Sequence, residues 1–89
     1  QIKSKFDCPY HLFLQGATLY NGKIYSVEGF TNDKKHPPAM RVINTETQKQ
    51  ELYFPFGEAG LTIEPEMVSF MDGKCYYGDN HGNIYMLDF

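Results

Sequence analysis

Apolar and polar residues alternate in short runs along most of this chain, and turn dipeptides separate the runs. Within residues 23–28, Ile24, Ser26 and Glu28 fall on one side of an extended backbone and Tyr25 and Val27 on the other. That two-residue period belongs to a strand. Asn21-Gly22 and Asp72-Gly73 each join two such runs, and this dipeptide supplies the positive φ angles of a two-residue hairpin. Asp79-Asn80 with Gly82-Asn83 makes a further turn, and Asn44 to Thr47 another. Pro55 closes the run 48–54, because proline cannot donate to a ladder. Helical spacing is missing throughout; Glu58 to Ile63 is too short and too Gly-rich. The pattern predicts strands at 15–20, 23–28, 39–44, 48–54, 66–71, 74–78 and 83–88.

These strands fall into two copies of one unit. Tyr20-Asn-Gly-Lys-Ile-Tyr25 matches Met71-Asp-Gly-Lys-Cys-Tyr76 at an offset of 51, and Gly16 to Leu19 parallels Met67 to Phe70 at the same offset. Met40 to Asn44 parallels Ile84 to Asp88 at an offset of 44, so the first copy carries seven extra residues between its second and third strands. Repeats of about 40–50 residues built from short strands have the spacing of β-propeller blades. With strands lettered A to D outward, the first copy (about residues 10–56) has all four, and the second (about 60–89) ends after C. Gln1 to Phe6 alternates like the first copy's D strand, so residues 1–7 are expected to complete another blade. The order is D–ABCD–ABC. The expected fold is all-β: two four-stranded antiparallel blades, part of a six-bladed propeller.

The stretch Asp72-Gly-Lys-Cys-Tyr-Tyr-Gly-Asp-Asn-His-Gly-Asn-Ile-Tyr-Met-Leu-Asp88 resembles the blade repeat of quinoprotein-type propellers. The wider pattern resembles six-bladed propellers of the teichoic-acid-biosynthesis-C-like and phage receptor-binding type. There a Gln-Gly opens one inner strand and a Glu-Pro-Glu precedes the next; here these are Gln15-Gly16 and Glu64-Pro65-Glu66. The glycine that usually follows Glu-Pro-Glu is Met67 in this chain. The quinoprotein likeness implies no cofactor, because the Trp-rich packing of that repeat is absent.

Composition narrows the function classes. The chain has 89 residues, 42% hydrophobic and 16% aromatic, with seven Tyr, seven Phe and no Trp. Net charge is −3 and no basic cluster exceeds Lys34-Lys35, so the electrostatic footprint of a nucleic-acid partner is missing. No apolar run reaches the roughly 18–20 residues of a membrane span. The chain begins at Gln1 without Met, which reads as a processed chain or an excised piece. Cys8 and Cys75 suit one disulfide without demanding it, and Cys75 inside a strand-like run reads as a buried free thiol.

Candidate chemistry gathers at one end. In a propeller the A–B and C–D turns share an end, and the longer connections 7–14, 29–39, 57–65 and 79–83 share the other. Long loops on a rigid scaffold commonly carry function. His11, His36 and His81 fall there, with Asp33, Glu64, Glu66 and Asp79. Gln15 and Glu66 are equivalent under the 51-residue offset and sit where inner strands enter the sheet. Glu64 and Glu66 form a hard-oxygen pair suited to Ca²⁺. Against these readings, Glu66 could simply accept strand-end amides, Asp79 to Asn83 has turn composition, and His36-Pro37-Pro38 reads as a stiff exposed loop. No Ser–His–Asp set, P-loop, dinucleotide fingerprint or Cys-x-x-Cys is present.

The expected function is therefore a non-enzymatic binding module, secreted, periplasmic or on the cell surface. Its ligand is a glycan, cell-wall polymer or protein, held by Gln15, Glu64, Glu66, His11 and His81. One alternative is a fragment of a hydrolase or lyase acting on polysaccharide through channel-mouth carboxylates. Another is a purely structural scaffold. Two blades do not close a propeller, so the expected partner is either the remainder of a longer chain or further copies in a ring-closing homotrimer.

Overall fold

The structure, a computed structural model, describes residues 2 and 13–88. It is all-β, with two antiparallel sheets. Strands β1 (Leu14–Tyr20), β2 (Lys23–Glu28), β3 (Ala39–Asn44) and β4 (Lys49–Pro55) form a four-stranded meander. After a 3₁₀ turn at Phe56–Ala59, strands β5 (Pro65–Met71), β6 (Lys74–Asp79) and β7 (Ile84–Leu87) form a three-stranded meander. The strand expected within residues 1–7 lies, Ile2 apart, outside the described residues.

Local chemistry explains the boundaries. Asn21 and Gly22 have φ of 51° and 75°, and Asp72 and Gly73 have 52° and 76°. Two successive positive φ values make the turn whose twist matches its flanking strands. At the next turn the Asn44 carboxamide oxygen accepts from the Glu46 and Thr47 amides at 2.8 and 3.1 Å. Gln48 then takes φ 59°, so β4 begins one residue later than the sequence pattern predicts.

Pairing in the two sheets follows one register. Leu14 pairs with Glu28 and Gly16 with Val27; Pro65 pairs with Asp79 and Met67 with Gly78. Each ladder skips one residue, Gln15 in β1 and Glu66 in β5, so a bulge stands at the same place in both. The third strands agree too: Val27 opposes Met40 and Gly78 opposes Ile84. The 51- and 44-residue offsets seen in the sequence are offsets of strand register.

The sheets pack through one continuous core of Val27, Met40 and Phe56 against Val68, Cys75 and Tyr77. Aromatic rings carry much of it: Tyr20 stacks on Phe70 at 4.0 Å and Phe56 on Tyr77 at 4.2 Å. Burying one such ring contributes about 1.5–3 kcal/mol. Phe56 comes from the connection between the sheets, which the 3₁₀ turn and Gly60 (φ 78°) reverse immediately afterwards. Burial pushes the Cys75 thiol up to about 11, so this cysteine is a free, buried and unreactive part of the core.

The sheets come closest where β1 meets β5. A Cβ at Gly16 would lie 3.1 Å from the Glu66 carbonyl oxygen and 3.2 Å from Met67 Cα, both main-chain atoms that cannot rotate away. Gly16→Val should therefore destabilise the fold by ~1–3 kcal/mol through overpacking. Urea unfolding monitored by tyrosine fluorescence measures this; an unchanged midpoint would show that the two strands separate freely.

Candidate functional site

The longer connections converge at the end where β1 and β5 begin. Thr31 and Glu64 hold two of them together: the Glu64 amide donates to the Thr31 hydroxyl at 3.0 Å, and that hydroxyl donates to Glu64 Oε1 at 3.3 Å. The Asn32 amide donates to the Thr62 carbonyl at 2.9 Å. The Asn80 amide donates to the Glu64 carbonyl at 3.0 Å, tying in the β6–β7 turn. Glu64, in the connection before β5, thus joins the connection after β2 and the turn after β6.

Gln15, the β1 bulge residue, completes this network. Its amide nitrogen donates to the Gly29 carbonyl at 3.1 Å and to Glu64 Oε2 at 3.2 Å. Both of its hydrogens are engaged. Gly29 itself has φ 99°, and a Cβ there would overlap the Pro37 carbonyl. This is the left-handed backbone region glycine tolerates. The structure therefore brings Gln15 and Glu64 into contact, as two of the five expected ligand-binding residues.

The other three are placed differently. Glu66, the β5 bulge residue, is exposed, and its side chain makes no hydrogen bond or ion pair among the described residues. His81 is exposed at the β6–β7 turn, where its main-chain amide donates to Asp79 at 2.9 Å. His11 lies outside the described residues.

The remaining loop-end carboxylates are committed to their own loops. Asp33 accepts the Lys35 and His36 amides at 2.9 and 3.1 Å, and these bonds, that of His36 foremost, hold its carboxyl below the usual range. Asp79 accepts the His81 and Asn83 amides, the Asn83 carboxamide and the Tyr85 hydroxyl. Burial alone would raise the Asp79 carboxyl, but these donors together outweigh it and lower it. The segment 79–83 is a turn organised by its first side chain. Calcium takes about six to eight oxygens. Among the described residues Asp33, Glu64 and Asp79 accept hydrogen bonds while the Glu66 side chain accepts none, and no three His, Cys, Asp or Glu side chains are grouped to hold a metal.

Two features escape the sequence pattern. His36-Pro37-Pro38 is not an exposed loop: Pro38 is buried, and His36 packs edge-on against Phe13 at 4.4 Å and beside Asp33 at 3.5 Å. Phe13 also lies 4.8 Å from Phe30 and takes φ 57°, so a half-exposed aromatic cluster borders the network. Glu28 and Arg41 form a bidentate pair at 2.6 and 3.2 Å, with the Glu28 side chain only 4% exposed. Arg41 also donates to Gln50 at 2.6 Å and lies over the Tyr53 ring. Glu28 occupies the register position of Asp79, and Arg41 that of Tyr85. Nothing in residues 28 and 41 alone signals the pair; only the diagonal placement across β2 and β3 reveals it.

Arg41→Met should strand a buried carboxylate and cost ~3–5 kcal/mol, while Glu28→Gln combined with Arg41→Met should recover most of the loss. Urea melts of the single and double variants measure both. Asp79 gives a pH signature: its folded carboxyl titrates below its unfolded one, so the unfolded chain binds the proton first. The stability it contributes is complete above an ordinary carboxylate pKa of about 4 and is lost as pH falls through the lowered folded value. Asp79→Asn should therefore show a smaller difference in urea midpoint between neutral and strongly acidic solution than the parent chain.

In comparisons with protein-family models, with curated proteins and with solved structures, the chain has no match.

Proposed function

We propose that this chain is a recognition module built on two β-propeller blades. Its loop-bearing end holds a glycan, cell-wall polymer or protein at the Gln15–Glu64–Glu66 entrance. The observation that carries the reading is the repeated bulge: Gln15 and Glu66 leave their ladders at the same register position, at the start of each sheet's first strand. A bulge re-aims a side chain and commonly does so beside a functional site. The first of these polar side chains is fixed by Gly29 and Glu64. The second, Glu66, is exposed and its side chain accepts no hydrogen bond from another described residue.

The recurring register and the blade resemblance support the propeller architecture. A recognition role follows from how the carboxylates are used. Asp33 and Asp79 serve their own loops and Glu64 ties three segments together, so of these four carboxylates Glu66 alone is left without a partner among the described residues, where polysaccharide hydrolysis needs a pair. Ligands of such modules occur outside cells or at their surface, and this is where the protein is placed by the same reading.

A glycan panel and a set of cell-wall preparations, tested by retention and by product release, examine this directly. Glu66→Gln should raise the Kd of a retained ligand about tenfold, equivalent to ~1.4 kcal/mol, without shifting the melting temperature. Glu64→Gln should lower the melting temperature, because it disturbs the network with Gln15 and Thr31. Product release abolished by Glu66→Gln would instead identify a hydrolase or lyase. No retention of any ligand would leave a scaffold.

A further inference from the structure

The Asn21-Gly22 turn closes the first hairpin at the end of the sheet away from the loop-bearing connections. It is the only Asn-Gly pair in the chain. Both residues are exposed, and a Cβ at Gly22 would meet nothing within 4 Å. Among the described residues the Asn21 carboxamide makes no hydrogen bond and the Gly22 amide donates to no acceptor. A free carboxamide beside a free main-chain amide is a reacting pair. With no Cβ on glycine, nothing hinders the approach of its nitrogen to the preceding side chain.

The other four asparagines lack this combination. Asn44 and Asn83 commit their carboxamides, the first to Glu46, Thr47 and Glu51 and the second to Asp79. Asn32 and Asn80 have no side-chain bond among the described residues, but the amide that follows each is engaged. Asp33 donates to the Phe30 carbonyl at 3.3 Å, and His81 donates to Asp79 at 2.9 Å. Asn21 alone has both groups free.

We infer that Asn21 is a site of spontaneous deamidation, a modification the chain carries out on itself. The Gly22 nitrogen gives up its proton and attacks Asn21 Cγ. The N–Cγ bond forms, the Cγ–Nδ2 bond breaks, and Nδ2 takes up a proton and departs as ammonia. Water then opens the cyclic imide. Cleavage of the new N–Cγ bond gives aspartate. Cleavage of the original peptide bond gives isoaspartate, whose main chain runs through the side-chain carbon. Water is the only co-reactant.

The two products affect the fold differently. Asp72 holds the register position of Asn21 in the second hairpin, with φ 52° before a glycine at 76°, against 51° and 75° in the first. The aspartate product therefore keeps the turn and adds one negative charge to a chain of net charge −3. The isoaspartate product lengthens the turn by one main-chain carbon and displaces Gly22. The Gly22 carbonyl accepts the Thr45 amide at 3.1 Å and the Thr45 hydroxyl at 2.6 Å, so this product loosens the contact between neighbouring turns. The same two bonds restrain the reaction, because the Gly22 nitrogen reaches Cγ only when the turn leaves its present shape. None of this depends on whether the loop-bearing end binds a ligand.

Peptide mapping by mass spectrometry tests the inference on the folded 89-residue chain, incubated in neutral and in mildly alkaline buffer. Residue 21 is expected to convert before any other asparagine, and faster at the higher pH, because the attacking nitrogen must lose its proton. An isoaspartate-specific methyltransferase is expected to label part of the product. Thr45→Val, with an unchanged circular dichroism spectrum, should convert about fivefold faster, the factor that one hydrogen bond controls. Thr45→Ser keeps the hydroxyl and should convert at the parent rate. An Asn21 that stays intact overturns the inference, and so does conversion at Asn32 or Asn80 that matches or precedes it. Equal rates in the valine and serine variants overturn the restraint assigned to Thr45.

Discussion

At Gly16 the backbones of β1 and β5 run so close that even a methyl group would crowd the Glu66 carbonyl and Met67 Cα. Much of the remaining architecture follows from that line of contact. The first strands of the two sheets can approach this closely only where a side chain is missing. Away from the line the space between the sheets admits additional rings. Phe56, delivered by the 3₁₀ turn, fills it between Phe54 and Tyr77. The connection from β4 to β5 is therefore part of the core as well as a link.

The same contact places the loop-bearing end. Because β1 and β5 begin side by side, Gln15 reaches Glu64, and Glu64 reaches Thr31 across the gap between two connections. A single partly buried carboxylate then holds three loop segments in register. Long connections become a shaped surface only when they are tied in this way, since their backbone polar groups must find partners. The bulges at Gln15 and Glu66 add two polar side chains to that surface from equivalent places. One is incorporated into the network and the other is left facing solvent.

Equivalent positions also show how a shared frame tolerates different chemistry. Glu28 and Asp79 both end a middle strand and both are buried. Glu28 is neutralised by the Arg41 fork, whereas Asp79 is satisfied by the amides of its own turn and the Tyr85 hydroxyl. A buried carboxylate without such partners would be strongly disfavoured. The longer connection after β2 cannot wrap Glu28 with its own amides as the short turn wraps Asp79, so a cation from the adjacent strand takes that role.

Strands, turns and the two offsets were legible in the sequence because they are local. A two-residue period, an Asn-Gly or Asp-Gly turn and a repeated hexapeptide need no distant partner to be recognised. The seven described strands fall within two residues of the positions expected from that pattern at every boundary. Turn chemistry also identified Asp79 to Asn83 as structural. What the sequence could not decide was which loop residues meet. Gln15 and Glu64 are 49 residues apart, Thr31 and Glu64 are 33 apart, and Glu28 and Arg41 pair diagonally across two strands joined by a ten-residue connection. Such contacts depend on how one sheet seats against another, and that seating is set by Gly16, Phe56 and the stacked rings acting together. Sequence periodicity fixes which face of a strand a residue occupies, and only the packing of the two sheets decides what that face touches.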